Sequence, residues 1–239
     1  MRSQNNEFLT VNLTMNWFTQ TLNSTLGKKY VMGITGLFLM LFLVVHCGIN
    51  ALVFFPDDGE LFNRAAHFMA TNFFIRMGEV VLFLGIIWHV IQSAIVTRTN
   101  AKARPQGYAK FANSSPWYSR SMGLLGTLIL IFLVIHLAHF WVKSRITGLE
   151  EVNYGSEKME DLYIKMVETF SNLWVVIVYV VAMISLSYHL MHGFQSAFQT
   201  FGINHKKYTP LIQMIGMIYS IVLPLLFAAM PIVIYLRGY

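Results

Sequence analysis

Charged side chains are scarce in this sequence. Lys, Arg, Asp and Glu make up 12% of its 239 residues, against about 25% in a typical soluble globular protein. Too few polar groups remain to coat a water-soluble body of this size, which excludes a soluble domain, a disordered chain and a nucleic-acid-binding domain. Cysteine occurs once, at Cys47, so an intrachain disulfide framework and a thiolate-only metal site are excluded. Beside His46 in an apolar stretch, Cys47 reads as structural filler. No polar stretch is long enough for a separate soluble domain. Residues 1–27 hold no compact apolar run ahead of a small-residue cleavage site, so no cleaved signal peptide is expected there.

What the chain has instead is apolar length. Hydrophobic residues reach 56%, and the mean hydropathy is +0.55. A membrane helix needs about 20 mainly apolar residues to cross roughly 30 Å. Five stretches meet this: Tyr30–Phe55, Phe73–Thr97, Met122–Val142, Leu173–Ala197 and Leu211–Leu236. The sequence therefore predicts one all-α integral membrane domain over residues 1–239, preceded by a cytoplasmic segment at 1–27 in which Phe8–Leu22 is mildly amphipathic and suited to the interface. The stretch Glu157–Phe170, with apolar residues at Met159, Leu162, Tyr163, Met166 and Phe170, has helical spacing and predicts a surface helix leading into the fourth span. Pro224 and Pro231 fall inside the fifth span and are read as shaping its helix.

Basic residues set an orientation. Arg2, Lys28, Lys29, Arg98, Lys102, Arg104, Lys110, Arg120, Lys206 and Lys207 fall on the N-terminal side, ten of the 17 in the chain, while ten of the 11 acids fall on the other side. The positive-inside rule then predicts a cytoplasmic N-terminus and an external C-terminus.

Eight histidines are present, and ionisable residues at membrane depth default to a functional reading. At 1.5 Å of rise per residue, His46 lies about 25 Å beyond Lys29 and His136 about 24 Å beyond Arg120, whereas His89 is about 14 Å from Arg98 and His189 about 20 Å from the helix terminator Gly202. Two pairs result, His46 with His136 near the outside and His89 with His189 nearer the inside. Paired imidazoles from facing helices suit bis-histidine ligation of a haem iron, which leaves no open coordination position and carries single electrons. Zinc prefers four clustered ligands, a proton relay would want more buried carboxylates than Glu79, and a di-copper site would want all imidazoles at one depth. The fold expected is five transmembrane helices bundled around two stacked b haems, held non-covalently because no C-x-x-C-H sequence occurs.

His139 and His192 each follow one of these candidates by three residues, on the same helix face, and spacing alone leaves open which member of each couple binds iron. His205, beside Lys206 and Lys207, reads as solvated surface, and His67 lies outside near the membrane. Gly33, Gly36, Gly85, Gly123, Gly126 and Ser185 supply small side chains for close helix approach or for a flat macrocycle. Arg98, Arg120, Lys28 and Lys29 are placed to meet the propionates of an inner haem.

The segment around His46 ending in Asn50, the stretch Phe62–Met69 (FNRAAHFM), the WHV at His89, the IFLVIH ending at His136, and the run from Tyr188 through Gly193 to Phe201–Ile203 come in a familiar order. Over Lys28 to Leu236 the chain resembles the single-subunit, two-haem cytochrome b membrane anchor of succinate dehydrogenase and fumarate reductase. The resemblance implies axial ligands His46, His89, His136 and His189, with His139 and His192 nearby but not ligating. It implies a bacterial cytoplasmic membrane and a complex with an FAD-containing flavoprotein and an iron–sulfur subunit on the cytoplasmic face, open to higher oligomers. Electrons would pass to or from quinone, menaquinone being the expected species. By the same resemblance Glu60, just ahead of Phe62–Met69, is the first choice for a quinone-site carboxylate, with the deeper Glu79 second and Asn50, His67 and Arg76 close by. A site on the inner side near Arg98, Trp117 or Arg120 competes with it. Cytochrome b anchors of hydrogenases or formate dehydrogenases share the imidazole wire. A transporter would instead call for broken helices or mid-membrane charges.

Overall fold

The computed structural model describes Gln20, residues 24–102 and residues 116–238. Apart from Gln20, the interfacial segment expected over Phe8–Leu22 lies outside the described residues, as do Arg2, Arg104 and Lys110. Among the described residues, five helices are long and apolar enough to cross a membrane: Leu26–Phe54, Phe73–Lys102, Met122–Thr147, Leu173–Thr200 and Thr209–Arg237. The chain is a multi-pass, all-α membrane protein. We call the end where the first of these begins the near end and the opposite end the far end.

The elements are α1 (Thr25–Asn50), a 3-10 turn (Ala51–Phe54), α2 (Glu60–Thr71), α3 (Phe73–Lys102), α4 (Trp117–Arg120) and α5 (Met122–His136), which two π-helical segments prolong (Leu137–Trp141 and Lys143–Thr147). A hairpin of β1 (Glu151–Tyr154) and β2 (Glu157–Glu160) follows, then α6 (Leu162–Phe170), α7 (Leu173–Thr200) and α8 (Thr209–Arg237). Short polar residues start the helices, taking up amide groups that have no partner within the helix. Ser24 Oγ accepts from Gly27 N at 2.9 Å, Asn72 Oδ1 from Phe74 N at 3.0 Å and Asn172 Oδ1 from Trp174 N at 2.9 Å. Gly202, with φ of 73°, follows the end of α7.

α8 runs unbroken through Pro224 and Pro231, both buried. Pro224 cannot donate to the Ser220 carbonyl one turn back, and Ser187 Oγ of α7 donates to it instead at 2.7 Å. A neighbouring helix thus satisfies the group that proline frees, as the interior of a bilayer requires. α3 is the most peripheral span, with no buried residue among those described. Its Leu84, Ile87, Trp88 and Ile91 are exposed, the arrangement of a helix facing lipid.

At the far end α2, the 3-10 turn, the hairpin and α6 form a cap. The helix expected over Glu157–Phe170 is corrected here. Glu157–Glu160 is a strand, paired antiparallel with Glu151–Tyr154 in the register Val152↔Met159, and the helix begins only at Leu162. The cause is local: Asp161 Oδ1 accepts from Ile164 N at 2.9 Å and starts the helix there. Met159 still faces the core, 4% exposed, so its apolar spacing fits strand and helix alike. The helix α2 carries the FNRAAHFM stretch and buries Phe62 and Asn63 against α6 and the hairpin. Arg237, at the end of α8, donates to the carbonyls of Val53 (3.0 Å) and Phe54 (3.2 Å) and ties the last span to the cap.

Gly59 sets the entry to α2, with φ of 85°, and a Cβ there would stand 2.1 Å from Tyr163 Cγ. Gly59→Ala is expected to cost about 2–4 kcal/mol through left-handed strain and overpacking together. Gly202→Ala, with the same strain but nothing within 4 Å of its Cβ, is expected to cost about 1–2 kcal/mol. Melting temperatures of the two purified variants should fall in that order.

Candidate functional site

The buried core gathers at the far end, around Val53, Phe62, Tyr163, Met166, Phe170, Val176, Met230 and Ile234. Deeper in the bundle the packing opens into a cavity of about 700 Å³ bounded by α1, α3, α5, α7 and α8, with the cap above it. Close-packed interiors hold few voids larger than a water molecule, and cofactor pockets span about 300–1,000 Å³. The walls are mostly apolar, among them Phe42, Phe83, Phe132, Met183 and Phe227, and three imidazoles enter them, His46 and His136 from the spans and His67 from α2.

His46 of α1 and His136 at the end of α5 have ring centroids 5.8 Å apart, almost perpendicular. Phe42 stacks on His46 at 5.2 Å, and Phe132 and Phe140 flank His136 at 5.6 and 5.5 Å. The Asn50 amide nitrogen lies 3.3 Å from His46 Nδ1 while donating to the His46 carbonyl at 2.8 Å. His136 Nδ1 is buried with no hydrogen-bond partner, and the same holds for His189 Nδ1.

The second pair joins α3 to α7, with His89 and His189 at 6.4 Å between ring centroids. Thr35 Oγ1 lies 3.0 Å from His89 Nδ1 and donates its own proton to the Val31 carbonyl at 2.8 Å. With the hydroxyl proton given to the Val31 carbonyl, the imidazole carries its proton on Nδ1 and keeps a lone pair on Nε2, the usual tautomer control of a metal-ligating histidine. Gly36 and Gly126 lie beside these two rings, where an added Cβ would stand 3.7 Å from His89 and 3.9 Å from His189. Thr35 fixes the level of His89 on α1, and His46 is eleven residues further along, so the two pairs lie about 16 Å apart along the helix axis.

The other two histidines of the spans stand apart from these pairs. His139 Nδ1 meets Tyr179 OH at 3.0 Å, with the rings parallel within 7°, and it does not line the cavity. His192, one turn beyond His189, makes no ring contact and no hydrogen bond among the described residues. His67 lines the cavity from α2, and His205 Nδ1 accepts from Lys207 N in a loop at the near end.

The carboxylates separate as well. Glu60 pairs with Arg64 at 2.8 Å on the surface of the cap and does not line the cavity. Glu79 does line it, 20% exposed, and accepts from Trp141 Nε1 at 2.7 Å and from Arg76 Nη1 at 2.5 Å, with Arg145 Nη2 at 3.5 Å. Trp141, Arg145 and Tyr179 were not singled out by the sequence. Arg98 is exposed near the end of α3 and Arg120 closes α4, both at the near end. There Trp117 packs on Tyr188 at 4.7 Å, next to His189.

Among the described residues no three His, Cys, Asp or Glu side chains converge on a point; the imidazoles come in twos. A metal held between two imidazole nitrogens by bonds of roughly 2 Å puts the ring centres about 6 Å apart, close to both observed separations. The donor set fits an iron whose other four ligands come from a macrocycle. Comparison of the chain with protein-family models, with curated proteins and with solved structures finds no match.

Proposed function

We propose that this chain is the membrane-anchor and electron-transfer subunit of a succinate:quinone oxidoreductase, a succinate dehydrogenase or fumarate reductase. In this reading it holds two bis-histidine haems b, with His46 and His136 on one iron and His89 and His189 on the other. The observation that carries the reading is the pair of cross-helix imidazole couples at two levels, one of them opening into a cofactor-sized apolar cavity. Two such centres make a path for single electrons through most of the bilayer. The near end is cytoplasmic on the positive-inside rule, in a bacterial inner membrane, where the flavoprotein and iron–sulfur partners dock. The chain is then the quinone-reactive part of the enzyme and does no dicarboxylate chemistry itself.

Quinone, menaquinone by expectation, exchanges electrons with the haems. Its reduction takes up protons, which a nearby ionisable group assists. Glu79 serves that role better than Glu60 because it borders the cavity that holds His46 and His136. A reduced-minus-oxidised spectrum with a pyridine haemochrome assay tests the haem assignment on the purified chain. Two haems b per chain are expected, and one or none would overturn it. Copurification with a subunit carrying covalent flavin tests the assignment to this enzyme, and a nickel or molybdenum partner would replace it with another redox complex.

A further inference from the structure

Arg145 follows His136 by nine positions. In an α-helix of 3.6 residues per turn nine steps would make two and a half turns and put Arg145 on the face opposite His136. The two π segments, Leu137–Trp141 and Lys143–Thr147, change that. Their i→i+5 bonding takes more residues into each turn, so nine residues come close to two whole turns. His136, Phe140, Trp141, Ser144 and Arg145 all line the one cavity. π-helical turns are rare and concentrate at functional sites, and two in succession here have the effect of swinging a guanidinium from the far face to the cavity mouth.

At that mouth two guanidiniums, Arg76 and Arg145, share the single carboxylate of Glu79. Trp141 and Arg76 hold Glu79 at hydrogen-bond distance, whereas Arg145 stays at 3.5 Å, too far for a good hydrogen bond. Its side chain is only 23% exposed. Lys158 also borders the cavity but pairs with Glu151. One guanidinium, with donors not engaged at close range, is thus held over an apolar cavity. Such a group favours an anion, and a planar fork favours a carboxylate.

We infer that Arg145 binds a carboxylate of the group occupying the far cavity, while Glu79, kept by Trp141 and Arg76, stays as its counter-ion. The inference rests on the haem reading above, since haem b brings two propionates. The full chain, produced in haem-deficient cells, is supplied with haem b or with its dimethyl ester, and transfer of haem to apomyoglobin is timed. From wild type the ester should leave the far site about tenfold faster than the free acid, the worth of a charge-assisted contact. Arg145→Leu should release the free acid at the ester's rate, and Arg145→Lys should fall between. With a given form of haem, the near haem should leave at one rate from wild type and from both variants, which also reports that the variants fold. Equal rates for acid and ester in wild type, or an unchanged acid rate in Arg145→Leu, overturn the inference alone. A wild-type chain that takes up no haem overturns the haem reading with it.

Discussion

Replacing His136 with alanine is expected to lower haem content from two per chain to one, with the haem at the far level lost and the other retained. His46 should behave alike, because the described rings around it are Phe42, Phe227 and His136 itself, and no second imidazole is in contact to take over. His139→Ala should keep both haems, since its ring nitrogen meets Tyr179 and the residue does not line the cavity. At the other level His89→Ala and His189→Ala should each remove one haem, and His192→Ala neither. Haemochrome counts on the six purified variants, with low-temperature spectra to separate the two centres, decide the matter. Retention of both haems in His136→Ala together with loss in His139→Ala would move the ligand one helical turn and overturn the assignment. The same comparison holds for His189 and His192.

The histidine pairs were within reach of the sequence because they depend on one number, the rise of a straight helix. His46 and His136 are each counted from a charge boundary across an unbroken apolar run, and an error of one residue moves them by only about 1.5 Å. The spans are legible for the same reason, since hydropathy averaged over about 20 residues tolerates errors at the ends. The helices extend past the expected inner limits, to Lys102 and Thr200, because polar residues at the interface continue a helix that hydropathy has already ended.

Features that depend on winding and on cross-chain pairing were not legible. Arg145 reaches the cavity only through the π segments, and an α-helical projection of the same residues puts it on the wrong face. The hairpin was hidden because Met159 fits a strand facing the core as well as a helix. Its strand identity is set by pairing with Val152 and by Asp161 starting the next helix. The sequence puts Glu60 ahead of the deeper Glu79, and what separates them in the fold is tertiary: Arg64 takes Glu60, while Trp141 holds Glu79 at the cavity. The helix α2 went unrecognised because its 12 residues are too short to span and its stabilisation comes from the cap.

That cap is expected to fail when Asn63 is replaced by leucine. Asn63 is fully buried and satisfies three residues at once. Its Nδ2 donates to Tyr154 OH at 3.1 Å and to Asp161 Oδ1 at 2.9 Å, and its Oδ1 accepts from Tyr163 N at 2.9 Å. Leucine has nearly the same size, so packing alone would tolerate it. The loss falls on the partners, a buried amide at Tyr163 and a carboxylate at Asp161, and is expected to total about 2–4 kcal/mol. Asn63→Asp should do no better, because it sets a carboxylate against Asp161 and removes both donors. Phe62, His67, Met159, Leu162 and Met166 reach from this cap into the cavity wall, so loosening it should also loosen the far haem. The expected signature is a lower melting temperature, cleavage by added protease between residues 148 and 162, and faster loss of the far haem with the near one unchanged. His136→Ala differs in leaving the hairpin resistant to protease. If Asn63→Leu melts with wild type and its hairpin stays intact, the cap does not depend on this amide, and the far cavity is closed by apolar packing alone.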